Sequence, residues 1–174
     1  MIAFGTDNEE IARFQTSPFL LSMTDLPDNE LSIIIALPSV GEEGEDLDLS
    51  AYPQENIEAV KPMLLKSCPV YEDEDNIFEI RFSDYVMYQC RNESYTTWDD
   101  EEVRIGKYLC IYEKSKLLDF YGSVVPFDWN DAETKAKRKH YGISTQNHVI
   151  DIIANEPPVI SKVINPECKR GRQS

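Results

Sequence analysis

Histidine is scarce in this chain: His140 and His148 are its only two. The site patterns that depend on histidine are missing as well. There is no HExxH for a zinc hydrolase and no close cluster of His, Cys and Asp to hold a metal. GxSxG, P-loop and GxGxxG sequences are also absent, which removes the common routes to acyl transfer, nucleotide hydrolysis and dinucleotide binding. The sequence therefore nominates no catalytic residue, no metal ligand and no cofactor. His140 follows a basic run and His148 opens a predicted strand, so each is expected to be a surface or packing residue rather than a base.

The four cysteines, Cys68, Cys90, Cys110 and Cys168, include no CxxC pair, which speaks against zinc. Residues 1–10 lack the basic start and apolar run of a secretory leader, so the expected setting is the reducing cytoplasm. Long hydrophobic runs are missing too, and stretches such as Ile33 to Leu37 are far too short to cross a bilayer. Basic residues are few: 17 Lys and Arg stand against 32 Asp and Glu, a formal net charge of −15. Residues 1–100 contain 22 acids and 5 bases, whereas residues 101–174 contain 10 and 12. Such a charge repels nucleic acid and anionic lipid and attracts basic partners. Neither nucleic acid nor membrane is an expected partner, and the oligomeric state is left open.

What is present is enough to fold. Hydrophobic residues are 41% of the 174, a chain length suited to one core. The expected class is α+β, a single domain over residues 1–166 with a basic tail at 167–174. A mainly antiparallel sheet carries helices on one face. Its organising element is a long hairpin over residues 77–112, in which Phe78, Ile80, Phe82, Val86, Tyr88 and Cys90 alternate along one strand and Val103–Tyr112 forms the other. In that register Cys90 and Cys110 lie on opposite faces and do not form a disulfide.

Elsewhere, Thr6 to Glu9 has the form of a capping box before a helix that runs to about Gln15. Phe19–Met23 is a strand or packed loop, and Leu31–Leu37 is a buried strand stopped by Pro38. Gly41–Ser50 is an acidic loop without the spacing of a calcium loop. Ile57–Leu65 has helical spacing that Pro62 disturbs. Ser115 is placed to cap a helix with Leu117, Leu118, Tyr121, Val124 and Val125 on one stripe. Asp131–His140 reads as an exposed helix or loop with i,i+4 ion pairs. Strands follow at 141–145, 148–154 and 159–164, with turns at Gln146-Asn147 and Asn155–Pro158.

Two places invite a functional reading. Asp84 falls on the apolar row of the predicted hairpin, where a charge needs a partner, and Lys107 lies diagonally opposite. The alternative is a bulge at Ser83-Asp84 that turns Asp84 outward. The second place is the hairpin tip, where Tyr95, Trp98, Asp99, Asp100, Glu101 and Glu102 mix aromatics with charge as binding surfaces do.

Residues 88–95, Gly106 to Tyr112, Lys139-His140-Tyr141 and Asn147 to Asp151 resemble small acidic bacterial proteins, some of which are immunity proteins that neutralise a competitor's toxin. The likeness spans residues 77–164 and carries over no functional residues. It implies a non-enzymatic cytoplasmic role; in an immunity protein the acidic face and the tip would occlude a basic toxin. Two other functions compete with it. One is a small-molecule site or unfamiliar enzyme with a pocket between sheet and helix, gathering Asp84, Tyr88, Lys107 and Tyr112. The other is a structural subunit of an oligomer.

Overall fold

The computed structural model describes residues 4, 17–45, 49–50, 52–124, 133 and 137–163. Its strands are β1 (Phe19–Leu26), β2 (Glu30–Val40), β3 (Val70–Phe82), β4 (Tyr85–Asn92), β5 (Val103–Ile105), β6 (Leu109–Lys114), β7 (Lys139–Ser144), β8 (His148–Ala154) and β9 (Val159–Lys162). Among the described residues two complete α-helices join them, α1 (Ile57–Leu64) and α2 (Lys116–Val124). The strands form two antiparallel sheets, a four-stranded one ordered β1-β2-β3-β9 and a five-stranded one ordered β4-β8-β7-β6-β5. The mixed α+β class holds. The single sheet expected from the sequence is replaced by two that share a core.

Strand alternation explains the shared core. In β2 the odd positions Leu31, Ile33, Ile35 and Leu37 turn inward, as do the even positions Phe78, Ile80 and Phe82 of β3. From the other sheet, Tyr141 and Ile143 of β7 and Ile150 and Ile152 of β8 join the same buried cluster. Phe82 and Tyr141 touch edge to face across the interface, with ring centroids 5.4 Å apart, and Phe4 packs against both rings. Each of these aliphatic side chains contributes roughly 1.5–3 kcal/mol by leaving water.

The long hairpin over residues 77–112 does not form. β3 ends at Phe82, and the chain passes through Ser83-Asp84 into the other sheet, where β4 pairs with β8 rather than with residues 103–112. Val103–Tyr112 is itself split, β5 folding back on β6 around Gly106, which has φ +100°. Alternation along one strand reports which face is buried, not which strand lies alongside, so one apolar row, interrupted at Asp84, served two sheets. The alternative of a bulge at Ser83-Asp84 does not form either: the strand ends there, and Asp84 is half-buried rather than turned outward. No Asp84–Lys107 pair forms: Asp84 Oδ2 accepts from Asn155 Nδ2 at 2.8 Å, while exposed Lys107 sits over the Tyr108 ring.

β2 runs past Pro38 to Val40, against expectation. Pairing with β1 stops at Ala36, so among the described residues Pro38 is paired only with β3 and lies where β2 has become an edge, after a shift in register, which is where proline is tolerated. α1 forms despite Pro62 but buries none of its residues. Lys139 and His140, expected in a surface helix or loop, belong to β7, although Glu133 and Lys137 do form the expected i,i+4 pair at 3.3 Å. Cys68, Cys90 and Cys110 are free thiols. Cys90, expected on the apolar row, is exposed. The helix expected before Gln15 and the tail at 167–174 lie outside the described residues. No helix among the described residues is long and apolar enough to cross a membrane.

Candidate functional site

The five-stranded sheet has a second face, pointing away from the core, and its side chains are of a different kind. Gln89 of β4 pairs with Asp151 of β8, which pairs with Gly142 of β7, which pairs with Cys110 of β6. In the next row, Ile153, His140, Tyr112 and Arg104 are neighbours across β8, β7, β6 and β5. Asp151 and His140 are therefore diagonal neighbours on one face, close enough to bond. His140 Nε2 lies 3.1 Å from Asp151 Oδ1, and its Nδ1 lies 2.8 Å from Ser115 Oγ. Gln89 and Arg91 both donate to Asp151 Oδ2, at 3.0 and 2.7 Å.

Asp151 is 1% exposed, so its charge depends on these donors. Burial opposes its ionisation, but the hydrogen bonds of His140 and Gln89 and the Arg91 charge outweigh that penalty and lower its pKa. Tyr112 stacks flat on the His140 ring, centroids 4.1 Å apart and 8° from parallel, and burial raises its phenol pKa. Gly142 makes room for this packing: a Cβ there would lie 2.8 Å from both Cys110 Sγ and a Tyr112 ring carbon. Burial likewise pushes the Cys110 thiol up.

Ser115, His140 and Asp151 are the residue types of a nucleophilic triad, but the serine is otherwise engaged. Its side chain is 2% exposed, and its oxygen accepts the Leu118 N–H at 3.1 Å. It is the cap expected from the sequence at the start of α2. With a proton on Nε2, His140 donates to Asp151 Oδ1 and accepts the Ser115 hydroxyl proton at Nδ1, so both ring nitrogens have partners. What the arrangement does is fix the start of α2 to the sheet and orient Arg91 through Asp151.

Above this floor lies a cleft of about 740 Å³, open between the sheet, α2 and the 93–102 segment. Arg91, His140 and Asp151 form its base, and Leu117 and Phe120 of α2 form an apolar wall. Four of the six tip residues nominated from the sequence, Trp98, Asp99, Asp100 and Glu102, also line it. Of the other two, Glu101 is exposed and Tyr95 projects into solvent at 89% exposure, neither lining the cleft.

The segment is tied down rather than loose. Asn92 Oδ1 accepts the Ser94 N–H, Glu93 N–H donates to Asn147 O at 2.9 Å, and Glu102 N–H donates to Asp99 O. Glu102 Oε1 accepts the Lys116 N–H at 3.0 Å, placing a carboxylate at the positive end of α2. Asp99 forms an ion pair with the Lys116 ammonium, a contact that lowers the Asp99 pKa and raises that of Lys116.

A smaller cavity of about 260 Å³ adjoins the cleft and shares Trp98, Asp99, Asp100 and Glu102 with it. Arg104 lines only the smaller one, its guanidinium 4.1 Å from the centre of the Trp98 ring.

A pocket between sheet and helix was anticipated from the sequence, but not its lining. Asp84, Tyr88 and Lys107 lie elsewhere, and Tyr112 borders only the smaller cavity. The sequence missed Arg91, His140 and Asp151 as a group. A usable signal existed: the turn at Gln146-Asn147 sets a hairpin register that puts His140 and Asp151 on the same face. No protein-family model, curated protein or solved structure matches this chain.

Proposed function

We propose that this chain is a non-enzymatic binding protein that recognises a basic protein partner through the rim of the cleft, in the manner of an immunity protein that occludes a toxin. The observation that carries this reading is the convergence of Trp98, Asp99, Asp100 and Glu102 on one side of a 740 Å³ cleft, in a chain of net charge −15. Exposed Tyr95 and Trp98 supply large aromatic area beside the acids. The acidic field draws a basic surface in and orients it before contact. The test is capture of the partner on immobilised protein followed by binding measurements across ionic strength. A partner with a basic surface, whose association slows as the Debye length shrinks from about 30 Å at 0.01 M salt to about 10 Å at 0.1 M, is the expected result. Association that is indifferent to salt would sink the proposal.

The size of the cleft favours a second reading, a small-molecule site, since such pockets span roughly 300–1,000 Å³. Binding of a small ligand that is indifferent to substitution of the rim acids would favour this reading over the first.

A further inference from the structure

The charges around the cleft are not all available to a ligand. Arg91 is committed to Asp151, and Lys116 to Asp99. Among the described residues, Asp100 has no side-chain partner, and Glu102 has only one oxygen engaged, by a backbone N–H. The uncommitted charge on the wall is therefore negative. Two aromatic rings line the same space with much of their surface open, Trp98 at 44% exposure and Phe120 at 53%. Carboxylates beside open aromatic faces suit an organic cation, because the ring face and the anion both attract it. The protein already makes one such contact, with Arg104 stacked on Trp98 in the adjoining cavity. Trp98 also borders the larger cleft, where no side chain of the protein stacks on it among the described residues.

Resting on the reading of a basic protein partner, we infer that the larger cleft receives an arginine side chain of that partner, held between Trp98 and Phe120 with Asp100 and Glu102 as its counter-charges. Arginine fits better than lysine because a planar guanidinium stacks on an indole and presents paired donors to carboxylates. Leu117 covers its methylene stem. The lower wall is held in place through the Asp151, His140 and Ser115 contacts beneath it, so little ordering remains for the binding step.

The probe is N-acetyl-arginine amide, which presents the side chain without free termini, titrated into the full chain while the Trp98 indole N–H resonance is followed. Its citrulline counterpart has nearly the same shape and no charge. The expected result is a saturable shift at Trp98 with the arginine probe, at least about tenfold weaker binding of the citrulline probe, and a loss of about tenfold in Asp100→Asn/Glu102→Gln. Glu102→Gln keeps an acceptor for the Lys116 N–H, and an unchanged amide spectrum away from the cleft shows that the variant is folded. Phe120→Ala, on an exposed position, gives an independent loss. Equal binding of the two probes, an unmoved Trp98, or full binding by the double variant would each overturn the inference. So would free arginine binding more than about tenfold tighter than the blocked form, because the occupant would then be a free amino acid. If a basic partner binds in a salt-dependent way while the probe leaves Trp98 unmoved, the inference falls and the wider reading stands. If the probe binds but partner association ignores salt, the wider reading falls.

Discussion

The two faces of the five-stranded sheet come from alternate residues of the same strands, yet they do different work. Inward, Tyr141, Ile143, Ile150 and Ile152 join a cluster shared with the other sheet. Outward, His140, Asp151, Gln89 and Arg91 form a polar chain that ends at Ser115 and the start of α2. Apolar packing is tolerant, because any side chain of similar volume restores much of the contact. A buried polar chain is not, because removing one member leaves the others without partners. The inner face therefore makes the protein fold, and the outer face fixes where the cleft wall stands.

The largest expected effect removes the hub of the outer face. Asp151→Ala strands His140, Gln89 and the Arg91 charge and should cost about 3–5 kcal/mol in urea unfolding, as for breaking a buried pair. Ile152→Ala, one residue along on the inner face, opens a cavity and should cost about 2–5 kcal/mol. The two losses should differ in pH dependence. The lowered Asp151 pKa means that its contribution is full above its unfolded value of about 3.9 and is lost as pH falls through its folded value. The gap between wild type and Asp151→Asn should close in acid, whereas the Ile152→Ala gap should stay nearly constant. A parallel pair of pH profiles would remove the distinction between the faces.

An intermediate effect is expected where the outer face is tightest. Gly142→Ala forces a Cβ against Cys110 and Tyr112 and should destabilise by about 1–3 kcal/mol, with altered near-ultraviolet signal from the displaced Tyr112 ring. The smallest is Ser115→Ala, which removes a helix cap and a His140 partner and should cost about 0.5–2 kcal/mol in the same unfolding measurement. If it instead cost as much as Asp151→Ala, the hydroxyl rather than the carboxylate would be the centre of the network.

Local signals were legible where they depend on neighbours in the chain. β8 was read with its observed bounds and β7 with nearly those, because β-branched runs flanked by turn residues leave few alternatives. The Ser115 cap was readable from one residue type at the head of an amphipathic stretch. The tip residues Trp98 to Glu102 stood out by composition, and the structure places four of the six nominated residues on the cleft. The long hairpin was misread because Ser83-Asp84 carries no strong turn signal while the apolar alternation resumes beyond it. His140 was passed over because its role depends on the strand beside it.

By itself, then, the sequence determined the acidity, the apolar rows, the cap and the aromatic acidic segment, all of which follow from residue type and short-range spacing. Only the tertiary structure decided that residues 77–92 are shared between two sheets, and that His140, Asp151 and Arg91 meet beneath the rim. Strand order is a choice among partners distant in the chain, set by which arrangement buries both sheets' apolar faces at once. The polar contacts on the outer face follow from that choice.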